Sequence, residues 1–481
     1  MNTRVLALLF CTSLGLAGAP AWSQAVRNAP PPPPTDTEQQ LAKVESVPQL
    51  LAIAKKYDEQ GDWRRYGYVM ERVLKLRPHA YNIQYELAAA RAMQENLSGT
   101  YDLLLKLKDL GLALKPWEDE RFAKASKTKA WDYIVESFKA NAKPFGPGKV
   151  AFELPRDDLL IECLAWDPAR KQFLAGTTRT GQVLRVDMNG KTSEFIKPDA
   201  TNGLWSVLDL AVDADRNLLW IASSATPHLK NAKPDDLGRA GLFKFELSSG
   251  KPLGKYVLPG KHALTGVVAS PTGDVYVAEA DARAVYKLRD EKLELALANP
   301  NLTSIRGMAV SGDGARLYMV DYENGIFGID LAKGEAFELK SQQPLSQFGI
   351  EGLYWYQGRL VAIQNGTEPK RVMRFTLSDD GRRVTQVQPL DANKPELEMP
   401  TRGAIANDKL YFIANSQRDQ YDRYGIPRDA AKLKAPKVYQ SDLRLGWDDV
   451  LPDMRPKSEK AEGSERPEKK ADKPEKADKP D

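Results

Sequence analysis

The sequence has two cysteines among 481 residues, Cys11 and Cys163. Cys11 lies inside an apolar N-terminal segment, so a chain processed beyond that segment keeps one thiol and forms no internal disulfide. An exported protein without disulfides is stabilised by core burial, which a large repeat fold can supply. Histidine is almost as scarce. His79, His228 and His262 are scattered, and no Ser-His-Asp set assembles from that order. His79 directly follows the helix-ending Pro78 and reads as a surface residue. An excess of one charge is also lacking: 69 basic and 65 acidic residues leave a net +4. Nucleic-acid binding would need a clustered basic surface, which this balance does not suggest. Beyond the N-terminus no run of eighteen apolar residues occurs, so no membrane span is expected in the mature chain. No glycine-rich loop leads from a strand into a helix to cradle phosphate.

The N-terminus has the order of a secretory signal peptide, expected over 1–23: Arg4, an apolar Val5–Ala19, then small residues around Ala21 and Ser23. Such a signal predicts a periplasmic or secreted protein. Phe10 before Cys11 argues against a lipid-attachment site. Pro30–Pro34 should form an extended polyproline II spacer within a linker over 24–40. At the other end, 455–481 is built of Lys, Glu, Asp, Pro and Ala with nothing to bury, and should be a disordered charged tail.

Residues 41–144 read as helices. Leu50, Leu51, Ile53 and Ala54 form one apolar stripe after Ser46 and Pro48, and Tyr66, Val69, Met70, Val73 and Leu74 form a second, closed by Pro78. With Ala54 and Tyr57 in the first helix, Gly61 at the turn and Pro78 at the end, the pair resembles a tetratricopeptide repeat. A poorer unit runs from Tyr81 to Pro116, and a last helix pair should contain Phe122, Trp131, Ile134 and Phe138. The resemblance implies a groove for a protein or peptide partner. A helical cap that only packs on the next domain is the competing reading.

From 150 to 450 the texture is all-β. A hydrophobic quartet, a turn and two further short strands recur from Leu164, Leu210, Val267, Met308, Leu353 and Ala404. Six copies at roughly 45-residue spacing argue for a six-bladed β-propeller, since one such sheet cannot bury its faces alone. The fold class is therefore multidomain, helical repeats followed by an all-β propeller. The residues preceding the quartets should ring one mouth of the central channel: Glu162-Cys163, Leu208-Asp209, Thr265-Gly266, Arg306-Gly307, Glu351-Gly352 and Arg402-Gly403. Glycine in four of these pairs suggests a tight turn into the strand. Charge converging on one opening makes Glu162, Asp209, Thr265, Arg306, Glu351 and Arg402 the candidate ligand-binding set. Cys163 could be a reactive thiol or a buried small hydrophobe.

Glu162 before Leu164-Ala165-Trp166, Asp313-Gly314 ahead of Leu317-Tyr318, Asp321 and Gly349-Ile350-Glu351-Gly352-Leu353 resemble the gluconolactonase and senescence-marker-protein propellers, relatives of NHL-type blades. The resemblance implies a divalent cation, calcium or zinc, that polarises a lactone carbonyl, with Glu162 and Asp321 as metal ligands. Thr265 and Arg306 stand where asparagine would be expected, and Arg402 adds a second positive charge. The reading preferred here has Glu162 and Glu351 neutralised by Arg306 and Arg402 and no cofactor. The chain would then be an exported binding or interaction protein taking a small polar or anionic ligand, or a salt-bridged plug taking none. The alternative is a divergent metal-dependent lactonase. No catalytic residue is assigned.

Overall fold

The computed structural model describes residues 35–446 and 448, in two compact units divided between Leu76 and Arg77. The expected signal peptide, the proline run and the charged tail lie outside the described residues.

The first unit holds helices α1 (Asp36–Ala42), α2 (Val47–Glu59) and α3 (Trp63–Leu76). α1 begins within the stretch expected to be linker and crosses its expected end at residue 40. Its start is fixed by a capping box in which the Thr35 side chain meets the Glu38 N–H and the Glu38 carboxylate returns to Thr35. Ser46 caps α2, with Pro48 in the first turn where a missing N–H costs nothing. Gly61 supplies the turn at φ +66°, a conformation that side chains resist. The two stripes pack in part as the periodicity predicts: Leu50 and Ala54 of α2, and Tyr66, Val69, Met70 and Val73 of α3, are buried, Ile53 and Leu74 are half-buried, and Leu51 is exposed.

The second unit begins with α4 (Tyr81–Met93), α5 (Leu97–Asp109) and α6 (Lys129–Asn141). Ala88, Ala89 and Ala92 let the helices approach closely over Leu104, Leu107, Phe122, Trp131, Ile134 and Phe138. The last expected helix pair is a single helix. Residues 116–127 make three short 3₁₀ turns, because the Asp119 carboxylate takes the Arg121 N–H and competes with a continuous helix. These helices are compact with the propeller. The Ala113 N–H donates to Glu368 O at 2.8 Å, and the Arg371 guanidinium donates to Leu110 O at 2.9 Å and Gly111 O at 3.3 Å. The division of the molecule thus falls inside the helical segment.

The propeller has six antiparallel sheets whose inner strands are Ile161–Asp167, Ser206–Asp213, Leu264–Ala269, Ile305–Val310, Ile350–Tyr356 and Gly403–Ala406. The second strand of each blade is a continuous buried run, such as Leu219-Trp220-Ile221-Ala222, because a neighbouring blade covers each of its faces. Blades one to five use consecutive strands, with a short parallel addition at Lys340–Ser341 in blade five. Blade six is completed by Lys149–Glu153, which precedes the first repeat in sequence and pairs with Lys437–Asp442. This closure joins the two ends of the propeller.

Candidate functional site

The predicted ring is a ring of strand irregularities. In blade one Ile161 faces Thr177, but Cys163 faces Gly176, so Glu162 is bulged out of register. Leu208, Thr265 and Glu351 occupy the same bulge in blades two, three and five. In blade four the irregularity spans Arg306 and Gly307. A bulge re-aims a side chain, and blades one to five each carry one at the mouth, whereas in blade six Arg402 directly precedes the regularly paired strand Gly403–Ala406. The next layer is Cys163, Asp209, Gly266, Gly307, Gly352 and Gly403. Its glycines are not in the left-handed conformation expected of a tight turn. They supply room: a Cβ on Gly307 would lie 2.6 Å from Leu353 N, and one on Gly403 would lie 1.8 Å from Tyr411 O. Asp209 belongs to this deeper layer, and the small neighbours leave space for its carboxylate.

Arg402 closes the channel. Its guanidinium donates to Leu208 O at 3.5 Å, to Thr265 O and to Arg306 O at 2.9 Å. It also faces Asp209 at 3.5 Å and Glu351 at 3.8 Å. Only 8% of the residue is exposed. Glu351 therefore lies between two guanidinium groups, Arg402 and, at 4.0 Å, Arg306. Arg306 rests over the Tyr322 ring at 5.4 Å. Thr265 donates to Ile305 O at 3.2 Å, so its hydroxyl links adjacent blades. Burial pushes the Asp209 carboxyl up, and neither Arg402 nor the Val267 N–H at 3.0 Å offsets it.

Glu162 is neutralised by a residue the sequence reading did not single out. Arg418 donates to it from Nε at 3.1 Å and from Nη2, and the Ser416 hydroxyl adds a bond of 2.7 Å. Burial pushes the Glu162 carboxyl up, but Arg418 and Ser416 outweigh it and hold the group below the usual carboxylate range. Both partners sit on the long connection between Ile413 and Lys437 in blade six. That connection is anchored where Tyr421 donates to Asp158 at 2.7 Å. Asp158 in turn takes two bonds of 2.8 Å from Arg179, which also reaches His228 O and Gly425 O. For Arg418 the trace in the sequence is the length of the segment between two strand signals. Cys163 is fully buried with its thiol pushed up by desolvation, a small core residue rather than a nucleophile.

Asp321 does not join the mouth. It ends the second strand of blade four, fully buried, and accepts from Thr303 N, Thr303 Oγ1 (2.8 Å), Ser304 N (3.0 Å), Glu323 N (3.1 Å) and Asn324 N (2.8 Å). Thr177, Glu279 and Gln364 hold the corresponding place in other blades and likewise bind loop backbone. The position is a loop staple repeated around the ring. A divalent cation fits this mouth poorly. Glu162 is taken by Arg418 and Ser416, Asp209 and Glu351 face Arg402, and the three carboxylates meet three guanidinium groups. Among the described residues no three His, Cys, Asp or Glu side chains are grouped to hold a metal. Arg402 and Asp209 also border a cavity of about 330 Å³ whose walls include Trp166, Met308, Leu353 and Ile405.

No family model matches the chain. An uncharacterised protein of Archaeoglobus fulgidus is 29% identical over 111 residues, 23% of this chain and 39% of that protein. The chain thus spans about two fifths of the length of the curated relative it matches. Among solved structures, a calcium-binding regucalcin from Agrobacterium tumefaciens has a TM-score of 0.43 at 17% identity, covering 62% of this chain and 93% of its own. A luciferin-regenerating enzyme has a TM-score of 0.43 at 15% identity, covering 62% and 96%. A gluconolactonase from Xanthomonas campestris has 0.40 at 14%, covering 63% and 93%. On its own strand order this chain is a six-bladed β-propeller preceded by helices, the fold that the gluconolactonase-like resemblance implies.

Proposed function

We propose that the chain is a binding module whose propeller has exchanged a metal-bearing mouth for a sealed one. The observation that carries this is Arg402, whose guanidinium stands in the middle of the ring of carboxylates and is fixed by carbonyls of three other blades. A fixed positive charge there opposes a bound cation. The Arg306–Glu351 pair, at 4.0 Å, is too long for a direct hydrogen bond. It can be bridged by a small polar ligand that offers both a donor and an acceptor, with the Tyr322 ring as a flanking wall. The signal-like N-terminus supports export, and helices α1–α3 are the part suited to a protein or peptide partner.

The test is metal analysis of the purified protein, hydrolysis assays with a panel of lactones, and thermal-shift screening against neutral sugars, sugar acids and amino acids. The reading expects no stoichiometric calcium, zinc or manganese, no lactone turnover, and a stabilising ligand whose effect is lost in Arg306→Ala. One equivalent of cation that disappears in Glu162→Ala would overturn it in favour of the hydrolase. Recovery of the protein from the cytoplasmic fraction of its host would remove the export element.

A further inference from the structure

His79, expected on the surface, is largely buried, and it borders a cleft of about 310 Å³ between α4–α5 and the blade-five segment Pro344–Ser346. Leu110, Pro344 and Leu345 make its walls mainly apolar. Two of its lining residues carry a buried polar atom with no hydrogen-bond partner among the described residues. Ser346 is 3% exposed, and its hydroxyl meets nothing. His79 Nε2 makes no hydrogen bond of normal length, its partner being the Glu338 carboxylate at 3.7 Å. Native proteins seldom leave a buried hydroxyl unsatisfied without a reason such as an absent ligand. The Ser346 carbonyl and the neighbouring Gln347 side chain are both engaged. Gln364 Nε2 donates to Ser346 O at 2.9 Å, and the adjacent Gln347 is bonded to Ile326 N and Leu339 O. At the rim, Lys106 forms no ion pair among the described residues, while Asp109 is engaged by Lys108 at 2.8 Å.

We infer that this cleft is a binding site, separate from the propeller mouth, for a small molecule with an apolar body and a carboxylate. Its apolar body would lie against Leu110, Pro344 and Leu345. The carboxylate would accept from the Ser346 hydroxyl and pair with Lys106. A pocket of this size, mostly apolar with a few convergent polar groups, has the composition of a small-molecule site.

Benzoate is a suitable probe, titrated calorimetrically into the full-length protein with benzyl alcohol as the uncharged control. The expected result is saturable one-to-one binding of benzoate and none of the alcohol. Lys106→Met should weaken binding about tenfold, as loss of a charge-assisted contact does. Ser346→Ala should weaken it roughly fivefold while leaving the melting temperature unchanged or higher, because a purely packing residue would not separate the two readouts. Arg306→Ala should bind benzoate like the parent protein. Absence of saturation, wild-type affinity in both Lys106→Met and Ser346→Ala, or loss of binding in Arg306→Ala would each overturn the proposal. Lys106 lies on an exposed helix face, so its variant keeps the test decisive even if Ser346→Ala folds poorly.

Discussion

Arg402 and Asp158 show how single side chains hold this propeller. Arg402 comes from blade six and is bound by groups of blades two, three, four and five. Replacing it with methionine fills much of the volume but strands two carboxylates and three carbonyls. The expected loss is about 3–5 kcal/mol, the range for breaking a buried pair from one side, read by urea denaturation. A loss under about 1 kcal/mol would mean that the seal is cosmetic. Asp158 makes a pH-dependent contribution. Burial pushes its carboxyl up, but bonds from Arg179, Tyr421 and Lys230 prevail and hold it well below the usual carboxylate range. A carboxyl depressed by folding stabilises above its unfolded value, near pH 4, and that contribution is lost as pH falls toward the folded value. Asp158→Asn should therefore cost on the order of 2 kcal/mol at pH 7, with the gap to the parent narrowing below pH 4. A gap that stays constant down to pH 2.5 would exclude the ion pairs as its cause. The charged ring around Arg402 was legible in the sequence because it repeats with the blades. Arg418 was not, because a loop residue carries no periodic signal and its partner, Glu162, is remote in sequence.

At the level of elements, the inner strands and the α2–α3 pair followed from alternation, helical spacing and capping residues. The strand Lys149–Glu153 did not, since it stands before the first repeat and its pairing partner lies at the far end of the propeller. Phe152 packs this strand against Phe173 of blade one, with ring centroids 5.9 Å apart. Phe152→Ala should cost about 3 kcal/mol, as expected for truncating a buried aromatic. Hydrogen exchange should show the loss first in Lys437–Asp442, the strand it pairs with. Uniform deprotection of all six blades would instead mean that closure is inseparable from global stability. The 116–127 stretch was misread for a different reason. Phe122 sits at helical spacing from its neighbours, but Asp119 competes locally for backbone N–H groups.

Across the whole molecule, the helices from Arg77 onward are compact with the propeller, whereas α1–α3 form their own unit. A fragment beginning at Arg77 should keep a single cooperative melt within about 3 °C of the full chain. One beginning at Lys143 should melt earlier, because it leaves the buried Arg371 without the Leu110 and Gly111 carbonyls. Equal melting of the two fragments in calorimetry would show that α4–α6 add nothing to the propeller.

The closing strand also sets an order of events during synthesis. Lys149–Glu153 leaves the ribosome before any blade exists, and its partner Lys437–Asp442 is made last. Through most of translation the nascent ring carries an unpaired first strand and an incomplete sixth blade. Such long-range pairing is slow to form and exposes strand edges while it waits. A holdase protecting the early chain would therefore serve this protein until residue 442 is free to pair.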